Sequence, residues 1–164
     1  MPDPVSTARK RVRAEASPLE DGANLTQELE ELAGYRLRQA QLAVYTDFVR
    51  HQSGPVTTPG KFALLLVIGK HPGRTQSELG DALGIRRTNL VPVLDQFETL
   101  GLVRRASCLR DRRANRLYLT RAGEAILERS MAVQQKHESR ITELLGEAGR
   151  RKLMELLNKL RAIG

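Results

Sequence analysis

Four consecutive residues, Arg86, Arg87, Thr88 and Asn89, follow directly on a short polar and apolar stretch, Thr75–Ile85. Their side chains suit the edges of base pairs. A guanidinium forks onto guanine O6 and N7, and a carboxamide forks onto adenine N6 and N7. The alternative for these four is a phosphate contact or a solvated helix start. Further along, Arg110, Asp111, Arg112 and Arg113 crowd one short turn. An arginine there suits a narrow minor groove, whose negative potential attracts cations. Asp111 repels phosphate, so its use is to pair with a nearby arginine and aim it. The alternative is a solvated charged loop. Thr75, Gln76 and Ser77 open another helix, where free backbone N–H groups favour a phosphate and where the same residues serve equally well as plain caps. From Gly84 to Arg121 nine arginines face only Asp95, Glu98 and Asp111, which supplies most of the formal net charge of +8.

No catalytic constellation accompanies these residues. There is no paired-cysteine metal motif and no phosphate-cradling glycine loop. His51, His71 and His137 are scattered along the chain, so no metal site with closely spaced ligands is expected. The reading is therefore a binding protein, not an enzyme, and it calls for no cofactor. A pI near 10.2 points to a polyanionic partner. Cys108 is the one cysteine, so no internal disulfide can form, which fits a reducing interior. Its neighbour Arg110 would lower the thiol pKa, so a redox switch at Cys108 stands as one alternative. The longest apolar run, Phe62–Gly69, is too short to span a bilayer. No apolar segment follows the basic cluster at Arg9–Arg13, so no secretory signal is read. The expectation is a cytoplasmic, soluble protein that does not engage membranes.

Helices must position these groups. Residues 1–23 carry Pro2, Pro4, Pro18 and a basic cluster but no apolar period, and read as a disordered basic tail. A long helix is predicted from Asn24, with Gln27 completing a capping box, to about His51. It is longer than a small domain needs to cover itself, so its N-terminal part is expected to pack on another subunit. A second helix runs from Thr58 or Pro59 to Lys70, with Phe62, Leu65, Leu66 and Gly69 on its apolar side. A third starts at Thr75, faces Leu79, Ala82 and Leu83 inward, and ends at Gly84 in a left-handed cap.

The fourth helix, about Arg87 to Leu100, buries Leu90, Val93 or Leu94, and Phe97, and contains Pro92. A proline inside a helix forces a late start near Thr88 or a kink. Two strands follow, Leu102–Ala106 and Arg116–Thr120, with the loop between them as a wing. Thr120 caps a fifth helix that breaks at Gly146–Gly149 before a sixth. The apolar stripes of these last helices are too exposed for a lone terminus and imply packing between subunits.

Three pieces in this order resemble the MarR family of winged-helix transcriptional regulators. The stretch TQSELGDALG at Thr75–Gly84 is similar to the family's helix before the turn. LDQFETLGLVRR at Leu94–Arg105 is similar to the end of its recognition helix and first wing strand. DRRANRLYLTRAG at Asp111–Gly123 resembles its wing and the helix start beyond, with Asp111 and Arg113 matching the family's wing Asp-x-Arg. The likeness covers residues 57–127. It implies a mainly α winged helix-turn-helix fold with a two-stranded wing. The division implied is 24–56 for an N-terminal dimerisation helix, 57–120 for the DNA-binding unit and 121–164 for C-terminal dimerisation helices. It further implies a homodimer on a pseudo-palindromic operator in double-stranded DNA, repressing until a small molecule binds.

The family places effectors at the junction between dimerisation helices and winged domain. There Tyr35, Arg36, Arg38, Tyr45, Phe48 and Phe62 mix rings with cations. Such a mix suits an aromatic acid, with rings to stack and a guanidinium for its carboxylate or a phosphate. The alternative is ordinary core packing with surface arginines. The stretch Gly34–Val44 resembles members that respond to aromatic-acid coenzyme A thioesters. A non-sensing architectural DNA binder and a thiol-based redox regulator remain the competing functions.

Overall fold

The computed structural model describes residues 26–107 and 115–163. The basic tail and the wing-tip residues Arg110, Asp111, Arg112 and Arg113, together with Cys108, lie outside the described residues. The chain divides into two units, residues 1–39 and residues 40–164. The elements in order are α1 (Gln27–Glu30), α2 (Ala33–His51), α3 (Pro59–Lys70), β1 (Arg74–Thr75), α4 (Gln76–Leu83), α5 (Arg87–Thr99), β2 (Val103–Ser107), β3 (Asn115–Leu119) and α6 (Arg121–Leu160), followed by a 3-10 turn at Arg161–Ile163.

In the first unit the predicted continuous helix is broken: α1 stops at Glu30 and α2 begins at Ala33. A side chain takes the place of a backbone bond. Arg36 Nε donates to the Glu30 carbonyl at 2.9 Å, and its Nη2 donates to Glu30 Oε2 at 3.1 Å. In an unbroken helix the residue four on, Gly34, would fill that carbonyl, and glycine is a weak helix former. Thr26 caps α1, receiving the N–H of Leu29 and Glu30 on its carbonyl. The predicted cap, Asn24, lies outside the described residues.

In the second unit the local punctuation follows the sequence closely. Thr58 accepts the Lys61 N–H at the start of α3, with Pro59 in the first turn. Thr75 and Glu78 close a reciprocal capping box on α4. Gly84 and Gly101, after α4 and α5, have φ of 63° and 65°, the left-handed region that suits glycine. Gly146 breaks α6 with φ 67° and ψ 162°, as the sequence led one to expect.

Three expectations need correction. The two wing strands pair as expected, but the sheet also takes in a third strand, β1, in the order β1-β3-β2 and all antiparallel. Strand β1 has two residues, paired as Arg74 with Leu117 and Thr75 with Arg116, too few to leave a period-two signal. Helix α3 buries Phe62, Leu64, Leu65 and Ile68, which do not lie on a single narrow face. It is the central helix, packed by α4, α6 and the sheet, so its apolar side is broader than the sequence stripe proposed. Helix α5 starts at Arg87, and Pro92 sits inside it with the helix continuing to Thr99. The missing N–H costs about 3 kcal/mol against alanine in a helix interior.

The core gathers Phe48 and Val56, the α3 residues, Leu79, then Leu90, Leu94 and Phe97 from α5, and Leu102, Val103, Leu117 and Leu127. Three of these fix α5 from behind, on a helical spacing of three and four. Where α6 leaves the sheet, Gly123 lies against the Leu102 carbonyl: a Cβ there would stand 2.0 Å from that oxygen. The same carbonyl accepts the Thr120 N–H at 2.9 Å, and Thr120 Oγ1 caps α6 by accepting the Gly123 N–H at 3.1 Å.

Candidate nucleic-acid interface

Helix α4, a tight turn and helix α5 form one rigid piece. The Ile85 N–H donates to the Gly80 carbonyl at 2.9 Å and closes the turn. A Cβ on Gly80 would meet the Ile85 carbonyl at 3.1 Å, so the helices approach at a small residue. With Leu90, Leu94 and Phe97 held in the core, the start of α5 faces outward. Arg86, Arg87, Thr88 and Asn89 are all exposed. Arg86 is the N-cap residue and gives no side-chain cap; its carbonyl takes the Asn89 N–H at 2.9 Å, while the Arg87 and Thr88 N–H groups have no partner among the described residues and stand alongside two guanidinium groups. The arginines offer donors, and Thr88 and Asn89 add an acceptor as well, a set that suits base edges and phosphates.

The other sequence-predicted contacts divide. Thr75 is engaged in the cap: its N–H and its hydroxyl both donate to Glu78 Oε2, at 2.7 and 2.9 Å. Arg74 adds a bond to Glu78 Oε1 at 2.9 Å. Together, the Thr75 N–H first and then Arg74, these hold the Glu78 carboxyl down at about 2. A carboxylate thus occupies the mouth of α4. Ser77 is exposed, and Gln76 Nε2 is buried without a hydrogen-bond partner among the described residues.

The charge pattern also sorts itself in space. Arg105 on β2 pairs with both Asp95 and Glu98 of α5, the second at 3.0 Å. One cation thus ties the wing root to the far end of α5, and two of the three acids counted in this stretch are neutralised there. Arg104 lies 4.3 Å over the Tyr118 ring, and Arg116 Nη1 donates to the Gly73 carbonyl at 2.7 Å. No local pattern announces these roles, because each pairing joins separate segments of the chain.

The six residues proposed for an effector divide between the two units. Tyr35, Arg36 and Arg38 belong to the first unit, where Arg36 is held by Glu30. In the second unit Tyr45 is exposed, and Phe48 is sealed in the core against Phe62, with ring centroids 6.1 Å apart. Phe62 also borders an open cavity of about 800 Å³ between α3 and the two segments of α6. Its apolar wall includes Leu66, Met131 and Met154, and its polar rim is the Arg150–Glu138 pair at 2.9 Å. Sequence reading missed this set, since the break at Gly146 is what brings 147–160 back toward 121–145.

A second cluster joins α2 to α6. Asp47 Oδ2 accepts from His137 Nδ1 at 2.6 Å and from Arg140 Nη2 at 2.7 Å, and His51 Nδ1 lies 3.4 Å from Asp47 Oδ1. Two of the three histidines are therefore neighbours, although their spacing suggested otherwise. No group of three or more potential ligands that could hold a metal occurs among the described residues. Arg140 first, then His137, pulls the Asp47 carboxyl down to about 2. The folded value lies below the unfolded one. Its contribution is thus complete above the ordinary carboxylate range and is lost as pH falls through about 2. Asp47→Asn should lower unfolding stability by about 1 to 2 kcal/mol at neutral pH. Urea titrations should show this gap narrowing steadily between pH 5 and pH 2; a gap independent of pH would mean the carboxylate charge is not what binds the helices.

A helix-turn-helix followed by the β2–β3 hairpin, whose sheet is completed by β1 from ahead of α4, makes this a winged helix-turn-helix protein. Comparison with known proteins agrees. Residues 56–114 match the MarR family. A protein of Thauera aromatica, described as a transcriptional regulatory protein for the hcr operon, is 33% identical over 128 residues, 77% of each chain. The transcriptional repressor CouR bound to a 23-mer DNA duplex superposes with a TM-score of 0.78 at 41% identity, covering 83% of this chain and 96% of that one. CouR bound to p-coumaroyl-CoA gives 0.75 at 40% identity, over 82% and 95%. The chain belongs to the MarR family of transcriptional regulators. No helix among the described residues is long and apolar enough to cross a membrane.

Proposed function

We propose that this regulator is a homodimeric repressor that grips a pseudo-palindromic duplex and lets go when an aromatic acid or its coenzyme A thioester binds. The observation that carries the DNA-reading part is the outward start of α5, where Arg86, Arg87, Thr88 and Asn89 are all exposed while the rest of the helix is anchored in the core. Arg110, Asp111, Arg112 and Arg113 supply the second contact, in the minor groove, and Thr75, Gln76 and Ser77 a phosphate contact. Residues 57–120 form the DNA-binding unit, and 24–56 with 121–164 pair the subunits. Exposed Leu144, Leu153, Leu156, Leu160 and Ile163 support that pairing. Two such units place their α5 helices about 34 Å apart, one duplex turn.

The effector reading rests on the likeness to a repressor solved both with DNA and with p-coumaroyl-CoA. The cavity bordered by Phe62, Met131 and Met154 offers an apolar bed for a ring, with the Arg150 guanidinium at its rim for an anionic group. A ligand that binds the DNA-incompetent spacing tenfold better shifts the equilibrium by about 1.4 kcal/mol.

Fluorescence anisotropy decides the matter. The protein should bind duplex from upstream of its own gene tightly and random duplex weakly, and p-coumaroyl-CoA should release it where coenzyme A alone does not. Equal affinity for both duplexes would point to an architectural binder. Release by oxidation of Cys108 and by no acid or thioester would point to a redox regulator.

A further inference from the structure

Pro92 lies past the first turn of α5, where it withdraws the N–H that would bond the Thr88 carbonyl. Pro92 is exposed, and the burying is done by Leu90, Leu94 and Phe97. Alanine, glutamine or arginine would each suit the helix better. A residue that breaks a local rule on an exposed face marks a place where an outside partner supplies the reason.

Its position says which partner. Helical spacing of three and four puts Pro92 on the face that carries Thr88 and Asn89, about one turn, 5.4 Å, further along the axis. That distance is between one and two base-pair steps. The ring is rigid and apolar, with neither donor nor acceptor to offer a phosphate or a base edge. In the major groove the apolar feature that varies with sequence is the C5-methyl group of thymine.

We infer that Pro92 is a specificity-determining residue whose ring packs on one thymine methyl in each half-site, next to the base pairs met by Arg86–Asn89. This rests on the DNA-reading role proposed above for α5. Carrying no charge, Pro92 contributes discrimination and leaves the salt dependence alone.

The test begins with duplexes selected by the purified protein from a randomised pool. In the selected duplex each thymine is replaced in turn by deoxyuridine, which removes only the methyl. Affinities are measured at fixed salt for the wild type and for Pro92→Ala. The expected result is one thymine per half-site whose replacement weakens wild-type binding about fourfold. The variant should bind the two duplexes equally at that position, keep the wild-type salt slope and melt at a higher temperature. The inference is overturned if Pro92→Ala retains the thymine preference, if no thymine in the selected duplex shows one, or if the variant melts lower, since the proline would then serve the fold. A pool that enriches no sequence would defeat the DNA-reading role itself. An enriched pool with an unchanged preference in the variant would defeat this inference alone.

Discussion

A Gly123→Ala variant is expected to lose about 3 kcal/mol or more of unfolding stability, more than alanine at any other glycine among the described residues. A Cβ at that position would stand 2.0 Å from the Leu102 carbonyl oxygen and 3.0 Å from its carbon. Both sides of the contact are backbone, so no flexible side chain can yield. The carbonyl cannot swing away, because it already accepts the Thr120 N–H at 2.9 Å and the Thr120 hydroxyl at 3.3 Å. Relief must come from moving α6 off the root of β2, which opens the core at Leu102 and Leu127. Gly60→Ala is the control: it lies in the first turn of α3 with nothing within 4 Å of the added carbon. That change should be neutral or stabilise by up to about 1 kcal/mol. Equal urea midpoints for Gly123→Ala and the wild type would show that the sheet and α6 yield readily at this contact.

The sequence reading succeeded where the cause of a structure is local. A threonine at an N-cap, a glutamate three residues on, or a glycine after the last apolar position acts through its own few neighbours. Thr58, Thr75, Gly84, Thr120 and Gly146 were therefore legible as they stand. It failed where the cause is a partner far along the chain. Nothing near Glu30 announces that Arg36 will take its carbonyl, and Asp47 and His137 are 90 residues apart. Arg105 looked like one more cation for DNA, yet it holds Asp95 and Glu98. The two-residue β1 exists because Arg74 and Thr75 meet β3, which no periodicity can show. For the effector, composition suggested rings beside cations but could not tell an inward ring from an outward one. Phe48 went to the core, while Met131, Met154 and Arg150, brought together by the turn at Gly146, border the cavity instead.

The start of α5 permits the sharpest functional test, because the side chains of its arginines are exposed and bond to no other described residue. Arg86 and Arg87 are exposed, and neither guanidinium has a hydrogen-bond or ion-pair partner among the described residues. The double variant Arg86→Ala, Arg87→Ala should keep the wild-type melting temperature and bind its selected duplex about 100-fold or more weakly. The manner of the loss identifies the contact. If both arginines meet phosphates, affinity falls alike on every sequence, and a dimer sheds up to four ions from its salt dependence. If one forks onto guanine, preference at that base pair relaxes while the slope changes less. Arg86→Lys with Arg87→Lys separates the cases again, since lysine keeps the charge and cannot present the planar fork. A lysine pair that restored sequence preference together with affinity would show that these residues act as point charges, and base reading at the head of α5 would then fall to Thr88 and Asn89 alone.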